Sequence, residues 1–258
     1  MARTKQSLKF ETKWINEFNS NTKFRSNINS LFKTKFNRAT KSPYEYPSTR
    51  WQETANKTRK DPPKSDVILD SFGGVSLKNG PGRATSAKLG ETKAIFYSVI
   101  ENNKKYSGNK SLVQKVDDLF QVWTNVMGGK KQLLTENDIT TTEVRKGTVS
   151  CPELKKIIDA CDLELNPRVK QIRDDHEDFM LDVIYECLTG TYKFGDSPQK
   201  AKYYIRHKYG CLNTIEFAAE TDSPEMMQEC KKFLSEVNIK MKAGGSSRRG
   251  RPHWPRFM

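Results

Sequence analysis

Apolar positions recur every three or four residues through most of the second half of the chain. Residues 92–104 carry Ile95, Phe96, Val99 and Ile100. Residues 111–127 carry Leu112, Val116, Leu119, Phe120, Trp123 and Met127, the one-sided stripe of an amphipathic helix. Ser111 and Gln114 fit a capping box at its start, and Gly128-Gly129 fit its stop. Ser150 and Glu153 repeat that cap before Leu154, Ile157, Ile158 and Cys161, and Asn166-Pro167 break the run. Val169, Ile172, His176, Phe179, Met180, Val183, Ile184 and Cys187 predict a helix over 168–189, ended by Gly190. Ser197-Pro198 open another predicted helix with Ala201, Tyr204 and Ile205, closed by Gly210; a short segment, 214–220, follows. Ser223-Pro224 open the last, with Met227, Cys230, Leu234, Val237 and Met241. Only residues 138–149, with Ile139 and Val144, hint at β structure. The pattern therefore predicts an all-α fold, a compact helical bundle over residues 91–241.

The first 90 residues read differently. Phe10, Trp14 and Phe18 recur every fourth residue, and Phe24, Ile28, Leu31, Phe32 and Phe36 form a second stripe. They predict two short amphipathic helices within a basic, aromatic arm, residues 1–40. Frequent Asn lowers helix propensity there, so the arm is expected to be largely disordered alone and ordered by a partner. Residues 41–90 contain Pro43, Pro47, Pro62, Pro63 and Pro81 with Gly73, Gly74, Gly80 and Gly82, and read as a linker without regular structure. Val67-Ile68-Leu69 is its one apolar patch. Residues 242–258 form a short basic tail.

Charge placement sharpens this division. The chain has 258 residues and a formal net charge of +14. Residues 1–90 carry +11, residues 91–239 carry −3, and residues 240–258 carry +6. Excess positive charge thus sits at the two ends, suited to a polyanion. Lys23, Arg25, Lys33, Lys35 and Arg38 flank the N-terminal stripes, while Arg248, Arg249, Arg251, Trp254 and Arg256 mark the tail. Arginines pair bidentately with phosphates, and aromatics stack on unpaired bases. These residues are the candidate nucleic-acid contacts. The expected function is non-catalytic binding of RNA or DNA, of the nucleocapsid or chromatin-packaging type, in the nucleus or a nucleoprotein particle. A scaffold role with protein partners or self-association is one alternative. A membrane-surface, matrix-like role is the other, because basic amphipathic segments also suit anionic lipid.

Other candidate chemistry is sparse. The five cysteines are odd in number and widely spaced, as expected of reduced thiols in an intracellular protein. His176, Cys187, His207 and Cys211 lack the paired spacing of a zinc site. Asp174, Asp175, Glu177 and Asp178 lack calcium-loop spacing and read as a solvated face or a dock for the basic arm. No P-loop, nucleophile elbow, zinc-protease or dinucleotide motif occurs. The sequence therefore predicts no enzyme, no cofactor and no metal. Finally, Ala2-Arg3-Thr4-Lys5-Gln6 resembles the start of the third core histone's tail, although Ser7 stands where that tail has Thr. The resemblance covers five residues and implies that Ala2, Arg3 and Lys5 are read by chromatin modules.

Overall fold

The computed structural model describes residues 5–42, 64–70, 73–80, 89–136, 138, 140, 159–196, 199–236, 241–243 and 255–257. The chain divides into two units: residues 1–84 with 181–237, and residues 85–180 with 238–258.

The first unit is built on a five-stranded mixed sheet. Its strands are β1 (Ala39–Lys41), β2 (Val67–Leu69), β3 (Gly73–Asn79), β4 (Tyr203–His207) and β5 (Ile215–Glu220), adjacent in that order. β1, β2 and β3 pair antiparallel, β3 and β4 pair parallel, and β4 and β5 pair antiparallel. The register sets Val67 opposite Val75 and Leu77 beside Ile205. A parallel step requires a long crossover, and the whole stretch between Asn79 and Tyr203 supplies it.

The all-α expectation is therefore overturned. β2 and β3 fall in the stretch read as an unstructured linker, and β4 falls where a helix was expected from Ser197-Pro198. All three residues of β2 are buried, as are the first five of β3 and four of the five in β4. Strands covered on both faces lose apolar–polar alternation, and a run of three to seven residues carries no readable period. Gly73 belongs to this packing, because a Cβ there would lie 2.6 Å from the Tyr203 ring.

The expected disorder of the N-terminal arm is overturned too. The helices α1 (Lys5–Ser20) and α2 (Thr22–Phe32) cover one sheet face. Trp14, Phe18, Phe24, Ile28, Phe32 and Phe36 share a core with Val67, Leu69, Val75, Leu77, Tyr203 and Ile205. The asparagines that weaken helix propensity act here as brackets. The Asn19 amide donates to the Ala39 carbonyl at 2.9 Å and accepts from the Ala39 N–H at 2.8 Å. Asn29 makes the same pair with Phe36, both at 3.0 Å. Asn21 caps α2 by accepting from the Phe24 N–H.

In the second unit the main helices are α3 (Leu89–Asn102) and α4 (Lys110–Glu136). Asn109, not Ser111, caps α4, and the helix runs through Gly128-Gly129. After one π-helical turn at Cys161–Leu165 comes α5 (Asn166–Asp175). Its core includes Ile95, Phe96, Val99, Leu112, Val116, Phe120, Trp123, Val169 and Phe179. A two-stranded antiparallel pair, β6 (Met241–Ala243) and β7 (Pro255–Phe257), completes the described part. The predicted helix over 168–189 is broken at His176, and Glu177–Thr189 forms α6. The short α7 (Thr191–Phe194) and then α8 (Pro224–Glu236) return to the first unit. The helix expected after Ser150 lies largely outside the described residues.

Candidate functional site

Alternation along β3 sends Val75 and Leu77 into the core beneath α1 and α2, so Ser76 and Lys78 face the other side of the sheet. Ser76 is buried and Lys78 partly so. Immediately before β2, Asp66 locks onto the same strand. Its backbone N–H donates to the Val75 carbonyl at 2.7 Å, and its carboxylate accepts the Leu77 N–H at 2.8 Å. Glu11 is 5% exposed on α1, a carboxylate set in the helix face that also carries Trp14 and Phe18.

These groups converge electrostatically on Lys78. Burial holds its ammonium below the ordinary lysine value. The Asp66 carboxylate partly offsets this, Lys64 adds to the depression, and Cys187 and Glu11 offset it further. A lysine in this setting gives up its proton more readily than a surface lysine. On α6, Glu186 is fully buried and pushed up to about 7 by desolvation. The N–H groups of Tyr192 and Lys193 donate to it at 2.6 and 3.2 Å, and the charges of Lys64 and Lys193 favour its ionised form. All of these residues belong to the first unit.

Among the described residues, no three His, Cys, Asp or Glu side chains form a metal cage. Magnesium does not require one: it keeps several waters and is commonly held by one or two carboxylates plus substrate phosphate oxygens. Glu11 and Asp66 are of that chemistry.

The residues expected to bind nucleic acid are distributed otherwise. Lys23, Lys33, Lys35 and Arg38 are exposed on α2 and the segment leading to β1. Arg25 is committed structurally, donating to the Phe18 and Asn19 carbonyls at 3.1 Å each. Arg248, Arg249, Arg251 and Trp254 lie outside the described residues, as do Ala2 and Arg3. Lys5 opens α1 and Arg256 lies in β7, with only their backbone described.

His176, Cys187, His207 and Cys211 do not assemble. His207 is fully buried, its Nε2 accepting from the Trp14 indole at 3.1 Å, while Cys211 is exposed. The 174–178 acidic run is laced with ion pairs: Asp174 to Lys170 and Arg173, Asp175 to Lys115, Asp178 to Lys105. These partners come from the same unit, not from a basic arm. No helix among the described residues is long and apolar enough to cross a membrane.

Comparison with protein-family models, curated proteins and solved structures finds no match. The site is therefore judged on its own chemistry. Glu11, Lys64, Asp66, Ser76, Lys78 and Glu186 were not singled out from the sequence. The signal was a carboxylate in line with Trp14 and Phe18 at spacings of three and seven, and an Asp directly ahead of Val67-Ile68-Leu69.

Proposed function

We propose that the chain acts on nucleic acid and hydrolyses phosphodiester bonds with a divalent cation held by Glu11 and Asp66. The observation that carries this reading is Asp66, fixed by the Leu77 N–H just ahead of β2 and beside a β3 lysine of depressed pKa that also feels the Glu11 charge of α1. The net charge of +14 supports a polyanionic substrate. A magnesium or manganese ion at the carboxylates would polarise the phosphate and lower the pKa of a bound water. The water oxygen forms the new bond to phosphorus, and the ester P–O bond opposite it breaks. Lys78, whose charged form burial disfavours, would take the water's proton as the free amine, and the departing oxyanion is protonated from solvent. Asp66, anchored by the Leu77 N–H, contributes a carboxylate whose position is fixed before substrate arrives.

A second reading is favoured by Ser76, which brings a hydroxyl to the sheet position between Asp66 and Lys78 where a third carboxylate would strengthen cation binding. In that reading the chain binds nucleic acid through its basic ends without cleaving it, and the cluster is a structural ion network. Incubation of the full chain with labelled DNA and RNA in Mg2+ or Mn2+ separates the two. Hydrolysis is expected, reduced at least a hundredfold in Asp66→Asn and Lys78→Met. Cleavage absent in both metals, or unchanged in Asp66→Asn, overturns the hydrolytic reading and leaves the binding one.

A further inference from the structure

Lys64 stands apart from the two lysines just discussed by the way it is held. Its backbone N–H donates to the Gln199 carbonyl at 3.0 Å, which fixes the chain two residues before Asp66. Its side chain runs across Gly190, where α6 ends: a Cβ on Gly190 would lie 2.6 Å from the Lys64 Cγ and 3.0 Å from its Cβ. Gly190 itself has φ 71°, so both its backbone and the close approach call for glycine. Beyond the crossing, the Lys64 charge acts on two groups, the buried Glu186 and the site lysine Lys78. The aliphatic stem is therefore held against Gly190, whose own N–H donates to the Glu186 carbonyl at 2.9 Å.

A buried carboxylate braced by two backbone N–H groups and neighbouring two lysines is costly to desolvate and needs a purpose or a compensation. Glu186 gains compensation from Lys64 and Lys193, the latter also buried. What it gives in return is direction. Its carboxylate attracts the Lys64 ammonium, a pull on a long, flexible side chain whose charge is also felt at Lys78. Pre-positioning lowers the entropy lost when a lysine binds its ligand.

We infer that Lys64 is a phosphate-contacting residue of the site, and that Glu186, beneath the Gly190 crossing, is the positioning residue that aims it. The inference rests on the reading of the Asp66 and Lys78 cluster as a nucleic-acid site. The ligand is a backbone phosphate of the nucleic acid, recognised by charge and independent of base sequence.

The test uses the full chain with a fluorescein-labelled duplex and the matching single strand. Binding is read by anisotropy in Ca2+ over a range of salt, and cleavage in Mg2+ or Mn2+. Lys64→Met is expected to weaken binding about tenfold and to reduce the salt slope by about one, with Lys64→Arg restoring most of both. Glu186→Gln is expected to weaken binding in the same direction but less, with the Lys64→Met effect reduced by the same factor in the Glu186→Gln background. That non-additivity distinguishes positioning from general destabilisation, and thermal melting of each variant reports folding separately. Unchanged affinity and slope in Lys64→Met overturn the inference, as does a wild-type chain that binds neither probe. If Lys64→Met weakens binding while wild type does not cleave, the phosphate contact stands and the hydrolytic reading falls. If Asp66→Asn abolishes cleavage while Lys64→Met matches wild type, the reverse holds.

Discussion

His207 shows how one side chain's surroundings set a property of the fold. It is fully buried, its Nε2 accepts the Trp14 indole N–H at 3.1 Å, and the Phe10 ring meets it edge-on. A protonated imidazole has no acceptor to offer Trp14, and burial pushes its pKa down to about 4, partly opposed by the Leu212 backbone. The folded value thus lies below the ordinary 6.5 of the unfolded chain. Stability from this group is complete above pH ~6.5 and is lost as pH falls toward 4. The loss amounts to about 3 kcal/mol at the acid end. Urea denaturation from pH 7 to pH 4 is expected to show it, and His207→Gln is expected to flatten that part of the profile. An unchanged slope in the variant would assign the acid loss to other groups. Asp70 makes a parallel point in a turn: its carboxylate accepts the Asn37 and Arg38 N–H groups at 2.7 Å each, tying the entry of β1 to the end of β2.

At the scale of elements, the N-terminal helices are the case where local and tertiary physics diverge. α1 and α2 are short and rich in Asn, and helices of that length are marginal alone. Docked on the sheet they bury Trp14 and Phe18 completely, with the two rings stacked at 5.2 Å. Removing a buried Trp typically costs about 3–5 kcal/mol, a large share of a domain's stability. Deletion of residues 1–42 is therefore expected to abolish cooperative unfolding of the first unit, read by circular dichroism and thermal melting. An arm that merely bound a partner would be removed without loss, and an unchanged transition would support that view. The same stripe also carries Glu11, so under the proposed function one helix serves the core and the chemistry. The position of Glu11 within the apolar stripe was readable from spacing. Its meaning was not, because Asp66 and Lys78 lay in a stretch whose strands show no period.

At the scale of the whole molecule, the excess positive charge sits at the two ends of the chain. Lys23, Lys33, Lys35 and Arg38 are exposed on the first unit, and Arg248, Arg249 and Arg251 follow in the tail. Replacing the three tail arginines together is expected to lower nucleic-acid affinity and flatten its dependence on salt by about three in logarithmic slope. Filter binding across salt concentrations reads this, and an unaltered slope would remove the tail from the interface while leaving the cluster at Asp66 untouched. What the sequence by itself determined were the features fixed by neighbours along the chain. These are the stripes of α1, α2, α3 and α4, the start of α8 at Ser223-Pro224, and the segregation of charge. What only the tertiary structure decided was the sheet. Three-residue β2 exists only between β1 and β3, and doubly covered β4 pairs with β3 from more than a hundred residues away, partners that no local period records. The candidate site was hidden for a related reason, since Asp66 and Lys78 meet only through the β2–β3 pairing, which has no readable period, and Glu11 reaches them from a helix more than fifty residues earlier.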